Sequence, residues 1–183
     1  SIAVGPGLSM NVAAAEITRC VLERDDKVRI LDADALNIIA GEHIDYKGSR
    51  EGQIIITPHI MEMSRLTGKT VADIKEHMIE SAKEYAIQHS CICILKDART
   101  VVTDGQKVYI NCTGNDGMST GGCGDVLTGL IAGMTAMGLD AFEAACLSVY
   151  VHGKAGDYAA SGKGRAGMTA ADISEAIAYV LKR

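Results

Sequence analysis

Three short aliphatic runs constrain this chain more than anything else in it: "KVRILDAD" (residues 27–34), "QIIITPH" (53–59) and "CICILK" (91–96). Apart from Arg29, each is apolar through its middle, is too short for a helix, and ends on a chemically distinctive residue: Asp, Pro-His or Lys. A strand without polar alternation must be covered on both faces, and that is the situation of a parallel sheet between two helical layers. The intervening segments supply the helices. "ALNIIAG" follows the first run, and "IMEMSRLTG", with Gly68 as terminator, follows the second. "TVADIKEHMIESAKEYAIQHS" is expected as one helix opening on Thr70 and Asp73 in a capping-box-like start. "SIAV" reads as the end of another strand entering the tight loop "GPGLS", with Ser9 as cap of a helix reaching residues 20–24. "TVVTDGQKVYIN" reads as a hairpin around Asp104-Gly105, and three helices follow near 125–137, 140–161 and 170–182, the last capped by Thr169. The expected fold class is α/β: a three-layer α/β/α domain over residues 1–183 with a largely parallel sheet and one β-hairpin.

Composition narrows the function classes. Hydrophobic residues at 48% and charged residues at 22% are globular proportions. A net charge of -5 with no Lys/Arg block argues against a nucleic-acid partner. No apolar run approaches the roughly 20 residues of a membrane span, so no membrane partner is expected. "SIAVGPGLSM" lacks the pattern of a signal peptide, which makes the cytoplasm the expected location. The six cysteines form no CxxC and no His clusters near them, so reduced, buried thiols are expected rather than a disulfide framework or a zinc site.

In an open α/β sheet, ligands bind beyond the carboxyl ends of the strands. The unusual residues fall there: Gly5-Pro6-Gly7, Asp32 with Asp34, Pro58-His59 with Glu62, Lys96, and the stretch 111–125. Within that stretch Gly114, Gly117, Gly121, Gly122 and Gly124 precede an apolar helix with nothing between. Glycine lets backbone N–H groups approach an oxyanion closely, and a helix start adds the positive end of its dipole, so Gly121, Gly122, Cys123 and Gly124 suit a phosphate. The run has neither the GK[ST] of a Walker A loop nor a GxGxxG after a strand. Asp125 either takes a proton from a substrate hydroxyl beside that phosphate or simply caps the helix. His59 and Glu62, three apart, either face a pocket or form a surface pair. Asp32 and Asp34 suit a divalent metal or a ribose, with Asp34 equally readable as a helix cap. Lys96 touches a nucleotide phosphate or only extends over apolar surface. Met118, Met134 and Met137 read as packing.

The blocks "VGPGL", "LDADALN", "TPHIMEMSRLTG", "LKDARTVVTDG", "YINCTGNDGMSTGGCGDVLTGLIAGM" and "VYVHGKAGD", in that order, resemble the NAD(P)H-hydrate dehydratases of the ribokinase-like superfamily. The pattern GNxGMxTGGxGDVLxG is the most specific of them. The resemblance implies a ribokinase-like fold and a metabolite-repair lyase. Its substrate is the S epimer of hydrated NADH or NADPH, dehydrated at the expense of ADP or ATP through phosphorylation of the ring hydroxyl and loss of phosphate. Mg²⁺ would ride with the nucleotide phosphates. By the same resemblance Asp125 is the catalytic base, and Gly121, Gly122, Cys123 and Gly124 form the anion hole. Lys96, Asp97, Ala98, Arg99, Thr100, Asn115, Gly117, Met118, Ser119 and Thr120 line the nucleotide. Gly7, His59, Glu62 and Asp125 contact the hydrated coenzyme. A homo-oligomer, a tetramer by family analogy, is implied.

Four departures accompany the resemblance. The family's PHxGE is here Pro58-His59-Ile60-Met61-Glu62, which is expected to stiffen the loop. Asp97 stands for the common Gly after the strand Lys, Cys123 for a Ser or Gly, and Ser9 for the last Gly of GPGLG. Family members also carry a further segment before the GPGLG block, so these residues are expected to be the C-terminal two thirds of the full domain. Either a complementary N-terminal segment or self-association would then cover the first strand's open edge. Two rival readings share the Asp-after-glycine site: a ribokinase-like kinase for a sugar, hydroxymethylpyrimidine or hydroxyethylthiazole, and a nucleotide-binding subunit without catalysis.

Overall fold

A computed structural model describes residues 1–49 and 53–182. The aliphatic runs become strands β1 (Ile2–Val4), β2 (Arg29–Leu31), β3 (Ile54–Ile56) and β4 (Ile92–Leu95), which pair in parallel in chain order. The hairpin strands β5 (Val101–Thr103) and β6 (Val108–Ile110) extend the sheet antiparallel, giving the order β1-β2-β3-β4-β5-β6. Thr103 pairs with Val108, so the turn spans residues 104–107, with Gly105 in the left-handed region.

Successive strand residues point to opposite faces, and the core divides accordingly. Leu31, Ile54, Ile56, Cys93, Leu95 and Val101 pack against α2 (Ala33–Gly41), α3 (Ile60–Thr67), α4 (Val71–Glu76) and α5 (Met78–His89). Ile30, Ile55, Ile92, Ile94 and Val102 pack against α6 (Cys123–Ala136) and α7 (Ala141–Lys163). Helix α8 (Ala170–Val180) closes a smaller core with α6 and α7, and α1 (Val12–Leu22) packs on α2. The result is three layers with the sheet in the middle.

Three local expectations are corrected. Helix α1 is capped by Asn11, whose Oδ1 accepts from the Ala14 N–H at 2.9 Å, not by Ser9; Ser9 sits at φ +68°, the conformation that the family's glycine would take without strain. The expected single helix over 70–90 is broken at His77, whose ring nitrogen lies 3.2 Å from the Asp73 carbonyl. The break lets Ile74 and the Ala82, Tyr85, Ala86 face reach one core. All six cysteines are free, but Cys20 and Cys112 are exposed rather than in the core. Burial pushes the Cys91 thiol up to about 12.

Strand β1 pairs only with β2 among the described strands, and beside it Met10, Val12 and Ile17 are exposed. Among the described residues no helix is long and apolar enough to cross a membrane.

Candidate active site

At the carboxyl ends of β2, β3 and β4 the chain opens a cleft of about 780 Å³. Its floor is an ion pair. Asp32, the residue between β2 and α2, accepts a hydrogen bond from Lys96 Nζ at 2.9 Å and one from the Thr128 hydroxyl at 2.7 Å. The Asp32 side chain is almost fully buried, whereas that of Lys96 is 22% exposed. Burial alone would raise the Asp32 carboxyl, but the Lys96 ammonium and the hydroxyls of Thr57 and Thr128 hold it below the usual carboxylate range. Lys96 therefore neither lies on apolar surface nor reaches free into the cleft; it is anchored, with its ammonium beside Gly124, where an added Cβ would stand 3.5 Å away. The loop after β1 reaches this floor because residue 5 is glycine: at φ +125° a Cβ there would lie 1.7 Å from the Asp32 carbonyl oxygen.

The β3 end supplies the second pair. His59 caps α3: its Nδ1 accepts from the Met61 and Glu62 N–H groups at 3.1 and 3.2 Å, and Glu62 Oε2 accepts from the His59 N–H at 2.8 Å. This reciprocal cap assigns the proton of neutral His59 to Nε2, 3.4 Å from Glu62 Oε1. Glu62 is buried and His59 is half exposed, and both side chains line the cleft. Burial, then the Lys96 and Arg65 cations, lower the His59 pKa; burial raises that of Glu62 against the His59 amide and Lys96. Ile60 packs into the core and Met61 is exposed, so the departure from PHxGE leaves the His and Glu in one turn.

The opposite wall is residues 111–125. Helix α6 starts at Cys123 with Gly122 as N-cap in the left-handed region at φ +88°. Its first N–H groups have no intrahelical partners. Asp125 stands in the first turn, exposed, at the cleft; it is not the cap, and no hydrogen bond or ion pair with the described residues holds its carboxylate. The Cys123 side chain packs with Ala155, Met168 and Ile173, and burial raises its thiol pKa, so this position offers the cleft mainly backbone.

The cleft brings together Lys96, Asp97, Ala98, Arg99, Thr100, Asn115, Met118, Ser119, Thr120, Cys123, Gly124, Asp125, His59 and Glu62. Gly7, Gly117, Gly121 and Gly122 are not among the lining residues. Gly7 lies in the turn closed by the Leu8 N–H to Gly5 carbonyl bond. Gly117 packs where a Cβ would be 2.4 Å from the Arg165 carbonyl oxygen. Gly122 is spent on the left-handed cap, with Ala170 behind it. Asp34 is not the cap of α2, a place taken by Asp32; its carboxylate accepts from the Ser9 N–H at 2.8 Å. Among the described residues no three His, Cys, Asp or Glu side chains converge as ligands for a cation. Among the lining residues with no role assigned from sequence is His152 of α7, buried, with Nε2 unpartnered among the described residues and the imidazole pushed down to about 4, by burial first and by Lys96 in addition. Its only sequence signal is its place in "VYVHGKAGD".

Comparison with known proteins gives the family and the fold. The family model described as NAD(P)H-hydrate dehydratase matches residues 1–179. A bifunctional NAD(P)H-hydrate repair enzyme of Moorella thermoacetica is 45% identical over 99% of this chain and 34% of its own length. An ADP-dependent (S)-NAD(P)H-hydrate dehydratase of Neisseria meningitidis is 35% identical over 98% of this chain and 62% of its own. A crystal structure of the ADP/ATP-dependent NAD(P)H-hydrate dehydratase of Bacillus subtilis, co-crystallised with ATP and Mg²⁺, superposes with a TM-score of 0.87 at 32% identity, covering 98% of this chain and 62% of that one. The chain thus spans about a third of the bifunctional relative and less than two thirds of the other two, and its fold is ribokinase-like.

Proposed function

The chain belongs to the NAD(P)H-hydrate dehydratase family, and on that premise we propose that it carries the ADP- or ATP-driven step that returns the S epimer of hydrated NAD(P)H to the reduced coenzyme. The observation that carries the reading is Asp125: a carboxylate unpartnered among the described residues, in the first turn of α6, beside free helix N–H groups and lining the same cleft as His59 and Glu62.

In this reading the nucleotide lies along residues 96–100 and 115–120, with its transferring phosphate at the start of α6, where the N–H groups and helix dipole favour anionic oxygens. The ring hydroxyl of the hydrate attacks the terminal phosphorus. Its proton passes to Asp125, and the bond to the bridging oxygen breaks with the electron pair going to the departing nucleotide. Phosphate then leaves with the C–O electron pair, the adjacent ring carbon gives its proton to the departing phosphate or to water, and the C–H electron pair forms the ring double bond. Phosphorylation is what makes this elimination easy, because hydroxide is a poor leaving group and phosphate a good one. Lys96 offers its cation from beneath Gly124, fixed there by Asp32 rather than left mobile. His59 and Glu62 orient the hydrated ring. Mg²⁺ would be held by the nucleotide's phosphate oxygens, as this cation usually is, and would supply charge neutralisation at the phosphates.

The same premise supports a cytoplasmic homo-oligomer, and a whole domain in which residues 1–183 are the C-terminal two thirds. A preceding segment would cover the open edge of β1 and the exposed Val12 and Ile17. The test is direct: mix the natural full-length protein with hydrated NADH, Mg²⁺ and either ADP or ATP, and follow the return of reduced-nicotinamide absorbance. Nucleotide-dependent recovery is expected. Accumulation of a stable phosphorylated product would replace the dehydratase reading with a kinase.

A further inference from the structure

The block "VYVHGKAGD" lies in the middle of α7, about forty residues from the glycine-rich wall, yet four of its residues meet that wall. The Thr113 hydroxyl donates to the Tyr150 carbonyl at 3.0 Å. At Gly153 a Cβ would lie 2.2 Å from Thr113 Oγ1 and under 3 Å from the Thr113 carbonyl atoms, and at Gly156 it would lie 2.3 Å from Met118 Sδ. One turn further on, Asp157 accepts the Gly114 N–H at Oδ2, 3.0 Å, and the Asn115 side-chain amide at Oδ1, 3.1 Å. Tyr150, Gly153 and Asp157 recur at i, i+3 and i+7, one face of a helix. The glycines make room and the carboxylate closes the contact.

From this we infer that Asp157 is the positioning residue of the nucleotide wall. It does not line the cleft; it acts through residues 113–118. By taking the Asn115 amide it fixes which way that side chain faces, leaving Asn115 Oδ1 to accept the Gly117 N–H at 3.1 Å and so to cap the single 3-10 turn Asp116–Met118. That turn leads into Ser119 and Thr120, and through them into the start of α6. A carboxylate is required because both of its oxygens receive donors. An Asn in its place satisfies Gly114 or Asn115 but turns its own N–H groups toward the other donor.

The inference rests on the proposed nucleotide subsite, but half of its test does not. Asp157→Asn, Asp157→Ala and Gly153→Ala are made in the natural full-length protein. Amide hydrogen exchange over residues 111–120 is measured first, then kcat and KM for the nucleotide. Faster exchange in that segment is expected in all three variants. The nucleotide KM should rise about tenfold in Asp157→Ala and less in Asp157→Asn, with kcat within about twofold of the parent. Unchanged exchange in Asp157→Ala overturns the inference whether or not the protein is a dehydratase. So does a loss confined to kcat, or a drop in melting temperature that leaves KM untouched. Should the parent show no turnover, the functional reading fails, while the exchange data still decide the role of Asp157.

Discussion

Along the β2–β4 wall of the cleft, the ionisable side chains Asp32, His59, Glu62 and Lys96 are paired with one another before any ligand arrives. Along the opposite wall, residues 111–125 present backbone N–H groups, and Asp125 has no partner among the described residues. The first wall is held by buried charge, the second by the shape of glycine turns and by α7. The difference separates scaffold from proposed reactant: the Asp32 carboxylate, held below the usual range by Lys96, is a poor proton acceptor, whereas the exposed, unengaged Asp125 at the proposed phosphate subsite is free to act.

The sharpest way to break that contrast is Asp125→Asn. The side chain is exposed and unpartnered, so the melting temperature should stay within about 1 °C, since surface changes away from special features alter stability little. Dehydration should fall by roughly 10² to 10⁴-fold, the contribution of a positioned proton acceptor. Retained turnover in the absorbance assay would remove Asp125 from the chemistry.

Asp32→Asn should give the opposite pattern. Removing one partner of a buried pair leaves the other charge uncompensated, and a loss of about 3 kcal/mol is expected by denaturant titration. Asp32→Asn with Lys96→Met should recover most of it, because no charge is then left buried alone. A single variant as stable as the parent would mean that Lys96 finds water or another acceptor, and that the floor is not the fixed platform described above.

Much of this was legible in the chain itself. The all-apolar runs ending in Asp, Pro-His and Lys announced buried parallel strands and the end at which chemistry collects, and Gly68 and Asp104-Gly105 marked their turns correctly. What stayed hidden depends on contacts distant in sequence. Nothing near Asp157 shows that it bonds residues some forty positions away, and His152 sits in a long helix of small apolar residues where periodicity alone marks it as packing. Ser9 and Asn11 are both good caps by type; only the left-handed backbone at residue 9 decides between them. The break at His77 has no Pro or Gly to announce it and follows from where Ile74 must point.

His152 tests the seam where the two walls meet. Its folded-state pKa, about 4, lies below the ordinary histidine value of 6.5. The unfolded chain therefore binds the extra proton first as pH falls, and stability should decline between about pH 6.5 and pH 4. The depression corresponds to roughly 3 kcal/mol. Asp32, whose pKa is lowered, gives up its contribution at more acidic pH, as pH falls below the ordinary Asp value and through its folded pKa. Melting curves of the parent and His152→Gln at pH 7 and pH 5 should converge toward the acid side. Parallel curves would mean the imidazole is hydrated enough to charge freely.

Glu62→Gln should have only a small effect on the fold and is the finest probe of the comparison. Glu62 has a raised pKa, with burial as the first cause, so the folded state favours its protonated form. That preference stabilises the protein at low pH and is lost as pH rises through the raised value, leaving a buried charge at neutral pH. Gln removes the charge while its amide oxygen can still accept the His59 N–H, so the cap of α3 survives. Stability at pH 7 should therefore change by no more than about 1 kcal/mol, the scale of one hydrogen bond, and its pH dependence above pH 4.5 should flatten. Activity then decides what this wall does. If the KM for the hydrated coenzyme rises while the fold is intact, the Glu62 charge meets the substrate and the paired wall is more than a scaffold. If both fold and KM are unchanged, recognition of the ring belongs to the glycine-rich wall, and the paired side chains serve only to hold the strand ends in place.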